Sequence, residues 1–243
     1  MDSKKELQSF FQESITPLRE KWGDDFSIFV FCGAGLSKSS GLKTFRESGG
    51  LWEEYDVQEV CSIDGYNRNP ALVQEFYNKR REQLKSVRPN SGHFALAELE
   101  KLFPKNFTLA TQNVDDLHER AGSVNTYHLH GELRYAREVF GEKRRKQIGD
   151  IKKEEYNFWR PDIVWFGESV KYFNEVLELL EKSHLFISVG TSAEVYPAAG
   201  LIDHAIGMGI KTLNFNVEKS SKNFDKEVEG PSELTLPKFI NIF

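Results

Sequence analysis

Five short polar motifs each follow an apolar run, and their side chains suit chemistry on a phosphorylated sugar. Gly33-Ala34-Gly35-Leu36-Ser37 comes directly after Phe26–Cys32. Glycines there let the backbone turn sharply and approach a pyrophosphate, which the N-terminus of a following helix attracts. Lys38 stands in third place of a G-x-G-x-x-G pattern, and no clean βαβ unit with a ribose-binding acid follows, so a plain structural turn is the competing reading. The sequel, Ser39 to Arg46, is a small-residue loop ending in Phe45 and Arg46, able to cover a bound dinucleotide. Thr111-Gln112-Asn113-Val114-Asp115 sets amides and a carboxylate at the carboxyl end of a strand, where open α/β sheets bind ligands. Asn113 or Asp115 can equally cap a helix. In His128-Leu129-His130-Gly131, strand alternation puts both imidazoles on one face, which raises a metal pair. No Cys, Asp or Glu stands at ligand spacing to complete it, and His130 suits a general base at neutral pH. Gly190-Thr191-Ser192 and Asn214-Phe215-Asn216-Val217-Glu218 add hydroxyl and amide groups for a ribose. Each alone is a common turn composition. Five at strand ends point to one shared ligand edge.

The elements that must position these motifs alternate in kind. Leu7, Phe10, Phe11, Ile15, Leu18 and Trp22 recur at helical spacing, so an amphipathic helix opens the chain and Gly23 ends it. Buried strands are expected at Phe26–Cys32, Thr108–Thr111, Thr126–Leu129, Asp162–Trp165, Leu185–Val189, Lys211–Phe215 and Phe239–Phe243. Helical patterns at Gly92–Leu102, Val170–Lys182 and Pro197–Gly207 separate several of them. Such alternation implies α/β architecture, a parallel sheet with helices on both faces. Phe45–Arg88 is helical in character without a buried strand, and Arg134–Trp159 is polar and rich in Lys, Arg and Glu. Both read as insertions, at about 45–90 and 132–160, building a small lobe on a single domain spanning 1–243. The charge run around Lys143–Lys146 reads as a solvated face.

Bulk composition narrows the classes. Among 243 residues, 39% are hydrophobic and nineteen are Phe, enough for a sizeable core and too apolar for wholesale disorder. Lys+Arg 32 against Asp+Glu 37 gives a net charge of -5, which argues against a protein held mainly by nucleic-acid phosphates. Cys32 and Cys61 are too few for a disulfide framework or a four-thiolate zinc site. No apolar run approaches the ~18 residues of a membrane span, and no signal-peptide core follows the first residues. A soluble cytoplasmic enzyme is expected, with no direct nucleic-acid or membrane partner.

The order GAGxS…TFR, TQNxD, HLHG, PDIVWFGE, GTSxxVxP and NxE resembles the sirtuin family, over almost the whole chain from Phe26 onward. The resemblance implies a Rossmann-like domain with a small lobe, and removal of acyl groups from protein lysine using NAD. By motif, Gly33, Ala34, Gly35, Ser37, Phe45 and Arg46 would bind NAD. Gln112, Asn113, Val114 and Asp115 would line the nicotinamide and ribose site. Gly190, Thr191, Ser192, Asn216, Val217 and Glu218 would lie along the adenosine half, with Ser232 a late adenine contact. His130 would be the base, deprotonating a ribose hydroxyl so that the acyl group migrates to it. Products would be free lysine, nicotinamide and O-acyl-ADP-ribose. Val164, Phe166, Gly167 and Glu168, within VWFGE, would meet the acyl-lysine peptide by strand addition.

Two features refine the resemblance. Tyr77 and Arg80, one helical turn apart in a Tyr-x-x-Arg, match the pair that reads succinyl and malonyl chains in one sirtuin subgroup. A guanidinium fork with a phenol hydroxyl suits a carboxylate, while an ordinary exposed helix face is the plain alternative. Arg81 should point elsewhere on the helix and serve as a control. The family's two zinc-holding cysteine pairs are missing, since no Cys lies between Arg134 and Arg160. A lobe without zinc is expected, held by Tyr135, Phe140, Tyr156, Phe158 and Trp159. Competing functions are ADP-ribosyl transfer or NAD hydrolysis, and a non-enzymatic sensor of NAD or ADP-ribose.

Overall fold

Ile28–Cys32 is apolar at every position and buried at every position, the signature of a strand covered on both faces. The computed structural model describes residues 2–42, 54–140 and 145–243, and strands and helices are given for those. In chain order the strands are β1 (Ile28–Cys32), β2 (Phe107–Thr111), β3 (Thr126–His128), β4 (Gly131–Glu138), β5 (Arg145–Gln147), β6 (Trp159–Ile163), β7 (Leu185–Val189), β8 (Lys211–Asn216) and β9 (Lys226–Glu229). Six form one sheet in the order β3-β2-β1-β7-β8-β9, and every pairing in it is parallel. The other three form a small antiparallel sheet, β5-β4-β6.

The helices are α1 (Asp2–Phe10), α2 (Thr16–Trp22), α3 (Gly35–Lys38), α4 (Val57–Val60), α5 (Ile63–Arg68), α6 (Pro70–Ser86), α7 (Ser91–Leu102), α8 (Leu117–Ala121), α9 (Phe173–Glu181), α10 (Gly200–Gly207) and α11 (Ser232–Ile240). On one face of the large sheet, Leu96 and Leu99 of α7 and Leu236 and Phe239 of α11 pack with Val30, Leu109, Ile187 and Leu213. On the other face, Val176 and Leu180 of α9 and Leu201 and Ala205 of α10 pack with Phe29, Phe31 and Phe186. Alternate residues of one strand thus feed two cores, as the pleat requires. No described helix is long and apolar enough to cross a membrane.

Three expectations are corrected. Phe239–Phe243 is not a strand: α11 runs through Phe239, whose ring packs edge-on to Phe243 and against Phe11 and Phe215. Five residues, four of them apolar, are too few for periodicity to distinguish helix from strand. The sixth strand of the sheet is instead Lys226–Glu229, a charged edge strand that an apolar search passes over. Arg134–Trp159 forms part of the expected lobe and supplies most of its small sheet, but the strand expected at Asp162–Trp165 falls at Trp159–Ile163.

The lobe core joins Val73, Phe76, Tyr77 and Leu84 of α6 to Leu133, Ile163 and Trp165. Phe140 and Phe158, expected to support it, are 80% and 67% exposed. Ion pairs do more. Glu168 receives Arg160 at 2.8 Å and also Arg137, while Asp162 receives Arg145 and Lys171 at 2.6 Å each. The Arg160 guanidinium lies 3.4 Å from the Trp165 ring centroid, and Arg145 and Lys146 stack on Tyr135 and Trp159. Cation–π contact and bidentate pairing both favour arginine here.

Candidate active site

The carboxyl ends of β1, β2, β7 and β8 lie side by side, so the motifs that follow them meet at one edge. The three glycines interlock there. A Cβ on Gly35 would stand 2.7 Å from the Gly190 carbonyl oxygen, and one on Gly190, at φ +58°, would stand 2.4 Å from the Leu36 nitrogen. The glycines are therefore required first by the close passage of two loops, before any ligand is considered. Gly33 donates its N–H to the Val189 carbonyl and Gly35 to that of Gly190, at 2.9 and 2.8 Å.

Ser37 is the hub of a buried network. Its hydroxyl donates to Asp115 Oδ2 at 3.0 Å and accepts from Asn113 Nδ2 at 3.1 Å. Asn113 also donates to the Gly33 carbonyl, and Asp115 Oδ1 accepts the N–H of Leu117, the first residue of α8. Asp116, not Asp115, is the N-cap of α8, and it makes no side-chain cap bond; Asp115 bonds the N–H two residues on, as in an Asx turn, while keeping its place in the cluster. Burial raises the Asp115 pKa, against the Leu117 and Ser37 hydrogen bonds that hold it down. His93 completes the network and was not foreseen. The Asn90 N–H donates to His93 Nδ1 at 3.3 Å, which leaves the proton on Nε2, 3.4 Å from Ser37 Oγ. Desolvation pushes His93 down to about 3, so it is a neutral donor. His118 packs against its ring, fully buried, with no hydrogen-bond partner at either nitrogen. The capping box of Asn90 and His93 at the start of α7 is the sequence feature that could have drawn notice to it.

The two histidines of HLHG diverge. His128 is buried, with Nδ1 donating to the Asn113 carbonyl at 3.0 Å and Nε2 2.8 Å from Glu119. Desolvation would lower its pKa, but the Glu119 hydrogen bond and charge prevail and raise it. His130 lies beyond the end of β3, half-buried, and its Nδ1 donates to the Gln112 carbonyl at 3.2 Å. Burial lowers its pKa despite that bond. Nε2 is left deprotonated at neutral pH, the form a base needs. Among the described residues no group of three His, Cys, Asp or Glu converges as metal ligands.

Around His130 the remaining motifs close in. Gln112 Oε1 accepts from the Thr191 hydroxyl at 3.1 Å, tying the second motif to the fourth. Asn216 donates to the Thr191 carbonyl at 3.0 Å, tying in the fifth. Ala34, Ser192, Val217 and Glu218 form an exposed rim, while Ser232 is buried at the start of α11. Val114 receives the Leu133 N–H on its carbonyl. Phe45 and Arg46 lie outside the described residues.

The VWFGE segment runs beside His130, whose carbonyl accepts the Val164 N–H at 2.9 Å. Phe166 donates to the Cys61 carbonyl and bridges Ser62, so that edge is covered, and Gly167 turns the chain at φ +91°. The Glu168 carboxylate faces inward, on Arg160 and the Trp165 N–H, rather than outward. Trp165 Nε1 donates to the Tyr77 hydroxyl at 2.9 Å, with Cys61 Sγ 3.4 Å from the same oxygen. Tyr77 is fully buried. Arg80 stands 5.9 Å from the Phe76 centroid and close enough to Tyr77 and Cys61 to favour their ionised forms, although burial pushes both pKa values up. Arg81 fails as a neutral control: its side chain is buried and donates to the Leu133 carbonyl and to Asn78.

Residues 33–197 match the family described as the Sir2 family. The chain is 44% identical over 227 residues to the NAD-dependent protein deacylase of Pasteurella multocida, covering 89% of this chain and 97% of that one. It is 39% identical over 245 residues to the Salmonella typhimurium protein of the same name, covering 96% and 89%. A crystal structure of a Sir2 homologue in complex with NAD superposes with TM-score 0.82 at 30% identity, over 94% of this chain and 93% of that one. A Sir2 protein with a deacetylated peptide and 3′-O-acetyl ADP-ribose superposes with TM-score 0.79 at 26% identity, over 95% and 97%.

Proposed function

Because the chain belongs to the Sir2 family and is an NAD-dependent protein-lysine deacylase, we propose that it prefers lysines carrying acidic acyl groups, succinyl or malonyl. The observation that carries this reading is the placement of the Tyr77 hydroxyl. Trp165 holds its oxygen as an acceptor, so its proton is free to turn from the Cys61 thiol, a weak acceptor, toward a carboxylate. Arg80 beside it would supply the charge.

NAD supplies the ribosyl carbon that accepts the acyl oxygen, with nicotinamide as the leaving group. The edge fits such a group: short side chains, glycines where loops pass, and an exposed rim over a buried polar floor. In this reading Gly33, Ala34, Gly35 and Ser37 hold the phosphates, and Gln112, Asn113, Val114 and Asp115 line the nicotinamide and ribose. Gly190, Thr191, Ser192, Asn216, Val217, Glu218 and Ser232 serve the adenosine half, and Phe45 and Arg46 belong to the covering loop. His130 Nε2 takes the proton of a ribose hydroxyl, with Gln112 fixing the tautomer through Nδ1. His93 and Asn113 hold Ser37 so that its hydroxyl stays directed at Asp115.

Acylated-lysine proteins or peptides are the substrates. The peptide would lie along Val164, Phe166 and Gly167, pairing with the backbone edge opposite the one that His130 and Cys61 cover. Glu168 would act through its backbone and through the Arg160 pair that holds the segment. We also infer that the lobe needs no zinc, its stability resting on the Arg160–Glu168–Arg137 and Asp162–Arg145–Lys171 groups and the core around Trp165.

The test is Arg80→Ala on matched peptides. KM for succinyl-lysine should rise roughly ten- to a hundredfold, as loss of a charge-assisted bond worth ~1.5–3 kcal/mol implies, with acetyl-lysine nearly unchanged. Lys79→Ala, exposed on the same helix, replaces Arg81 as the control. Equal losses on both peptides would reduce the reading to a general deacylase. ADP-ribosylated or hydrolysed NAD as the main product would favour the transferase or hydrolase instead.

A further inference from the structure

A cavity of about 390 Å³ opens between the C-terminal half of α6, α8 and the small sheet, and none of the carboxyl-edge residues lines it. Five cations surround it: Arg81 and Lys85 of α6, Arg88 just beyond, Arg120 of α8 and Arg134 of β4. Asp116 is the carboxylate on its wall, held by Arg134 at 2.8 Å and facing Arg120 at 3.5 Å. Glu82 beside Lys85 and Asp150, 3.8 Å from Arg81, add two more acids nearby. Five positive against three negative charges leave a surplus of two, in a chain whose net charge is -5.

The cations are not exhausted by their partners. Arg120 donates to the carbonyls of Leu84 and Val87, closing the end of α6, and Arg88 donates to those of Lys85 and Val87. Arg81 reaches Leu133 and Asn78, yet its side chain is 4% exposed and its Nε is a buried donor with no hydrogen-bond partner. Guanidinium carries five donors in a plane, so each arginine has capacity left. That Nε faces Asp150 at 3.8 Å, too long for a hydrogen bond, so the buried donor is costly unless a closer acceptor reaches it.

We propose that this cavity binds a small molecule bearing a chain of phosphoryl groups. Forked guanidinium donors on three walls suit phosphate oxygens, and their spread needs charge distributed over several groups rather than one ion. The volume lies in the range of small-molecule sites. Lys85 and Arg88, both exposed, face the approaching anion and would draw it in. The ligand would tie α6, which presents Tyr77 and Arg80, to α8, which begins two residues after Asp115. The chain could come from a nucleoside triphosphate or from inorganic polyphosphate.

Binding is measured by calorimetry on the full chain in magnesium-free buffer, with saturating ADP-ribose filling the nucleotide edge. The titrants are inorganic tripolyphosphate, ATP, adenosine and citrate. Tripolyphosphate and ATP should bind with sub-millimolar Kd, adenosine should not, and the anions should raise Tm by about 3 °C or more at ten times Kd. ATP at least tenfold tighter than tripolyphosphate identifies a nucleotide; equal affinity identifies the bare phosphate chain. The double variant Lys85→Ala/Arg88→Ala should shift its ligand-free Tm little, because Arg120 still bonds the Val87 carbonyl, and should lose affinity tenfold or more. Sub-millimolar binding by neither phosphate, binding undiminished in the double variant, or citrate as tight as tripolyphosphate would each overturn the proposal.

Discussion

Replacing Tyr77 by Phe separates the structural part of its hydroxyl from its part in recognition. The oxygen accepts the Trp165 Nε1 proton at 2.9 Å, and both residues are buried. Phenylalanine keeps the ring packing on Phe76 and Trp165 but leaves the indole N–H without an acceptor. An orphaned buried donor costs ~1–3 kcal/mol. For a domain of this size each kcal/mol is about 2–4 °C of Tm, so the variant should melt roughly 2–12 °C lower. Trp165→Phe removes the donor from the other side, and the double variant should be less destabilised than the sum by ~1 kcal/mol, as directly bonded partners are. Kinetics are then run well below the lowered Tm. Succinyl peptide should lose several-fold in kcat/KM through KM, and acetyl peptide should change little. An unchanged Tm would refute the Trp165–Tyr77 bond as described, and equal kinetic losses on both acyl groups would refute the hydroxyl's part in reading the carboxylate.

His130→Ala should lower kcat by roughly 10²–10⁴-fold and spare ADP-ribose binding, checked by single-turnover assay and calorimetry; intact turnover would remove it as the base. Because burial holds its pKa below the ordinary imidazole value, the acid limb of kcat/KM should fall below the usual ~6.5. His128→Ala should not be benign: it strips the Asn113 carbonyl and Glu119 of their partner, and a loss of about 1–3 kcal/mol in urea unfolding is expected, discounted because Glu119 is partly solvated. The raised His128 pKa means this pair's stabilisation is full below about pH 6.5 and fades as pH rises through the folded value; stability rising with pH across that window would contradict it. Chelator treatment should leave Tm and turnover unchanged, and one tightly held zinc per chain by metal analysis would refute the metal-free lobe.

Much of the large sheet was legible in sequence because burial on both faces demands continuous apolar runs. Leu185–Val189 coincides with its expected strand, and Phe26–Cys32 and Lys211–Phe215 each nearly do. The polar motifs at their carboxyl ends were legible for the same reason, since topology forces ligand edges onto those ends. The small lobe was expected at its insertions, but its sheet was not, because its strands are polar and pair only with one another. Short-range spacing could say that Tyr77 and Arg80 share a helix face. Only packing across the lobe could say that the Tyr77 hydroxyl is held by Trp165, eighty-eight positions away, and that Arg81 is buried. The two histidines of HLHG look equivalent along the chain, two residues apart. What separates them is burial: His128 is enclosed with Glu119 and takes on charge, while His130 meets a backbone carbonyl and stays neutral. Sequence determines which groups are available; the dielectric and partners that set their protonation exist only once distant segments are packed together.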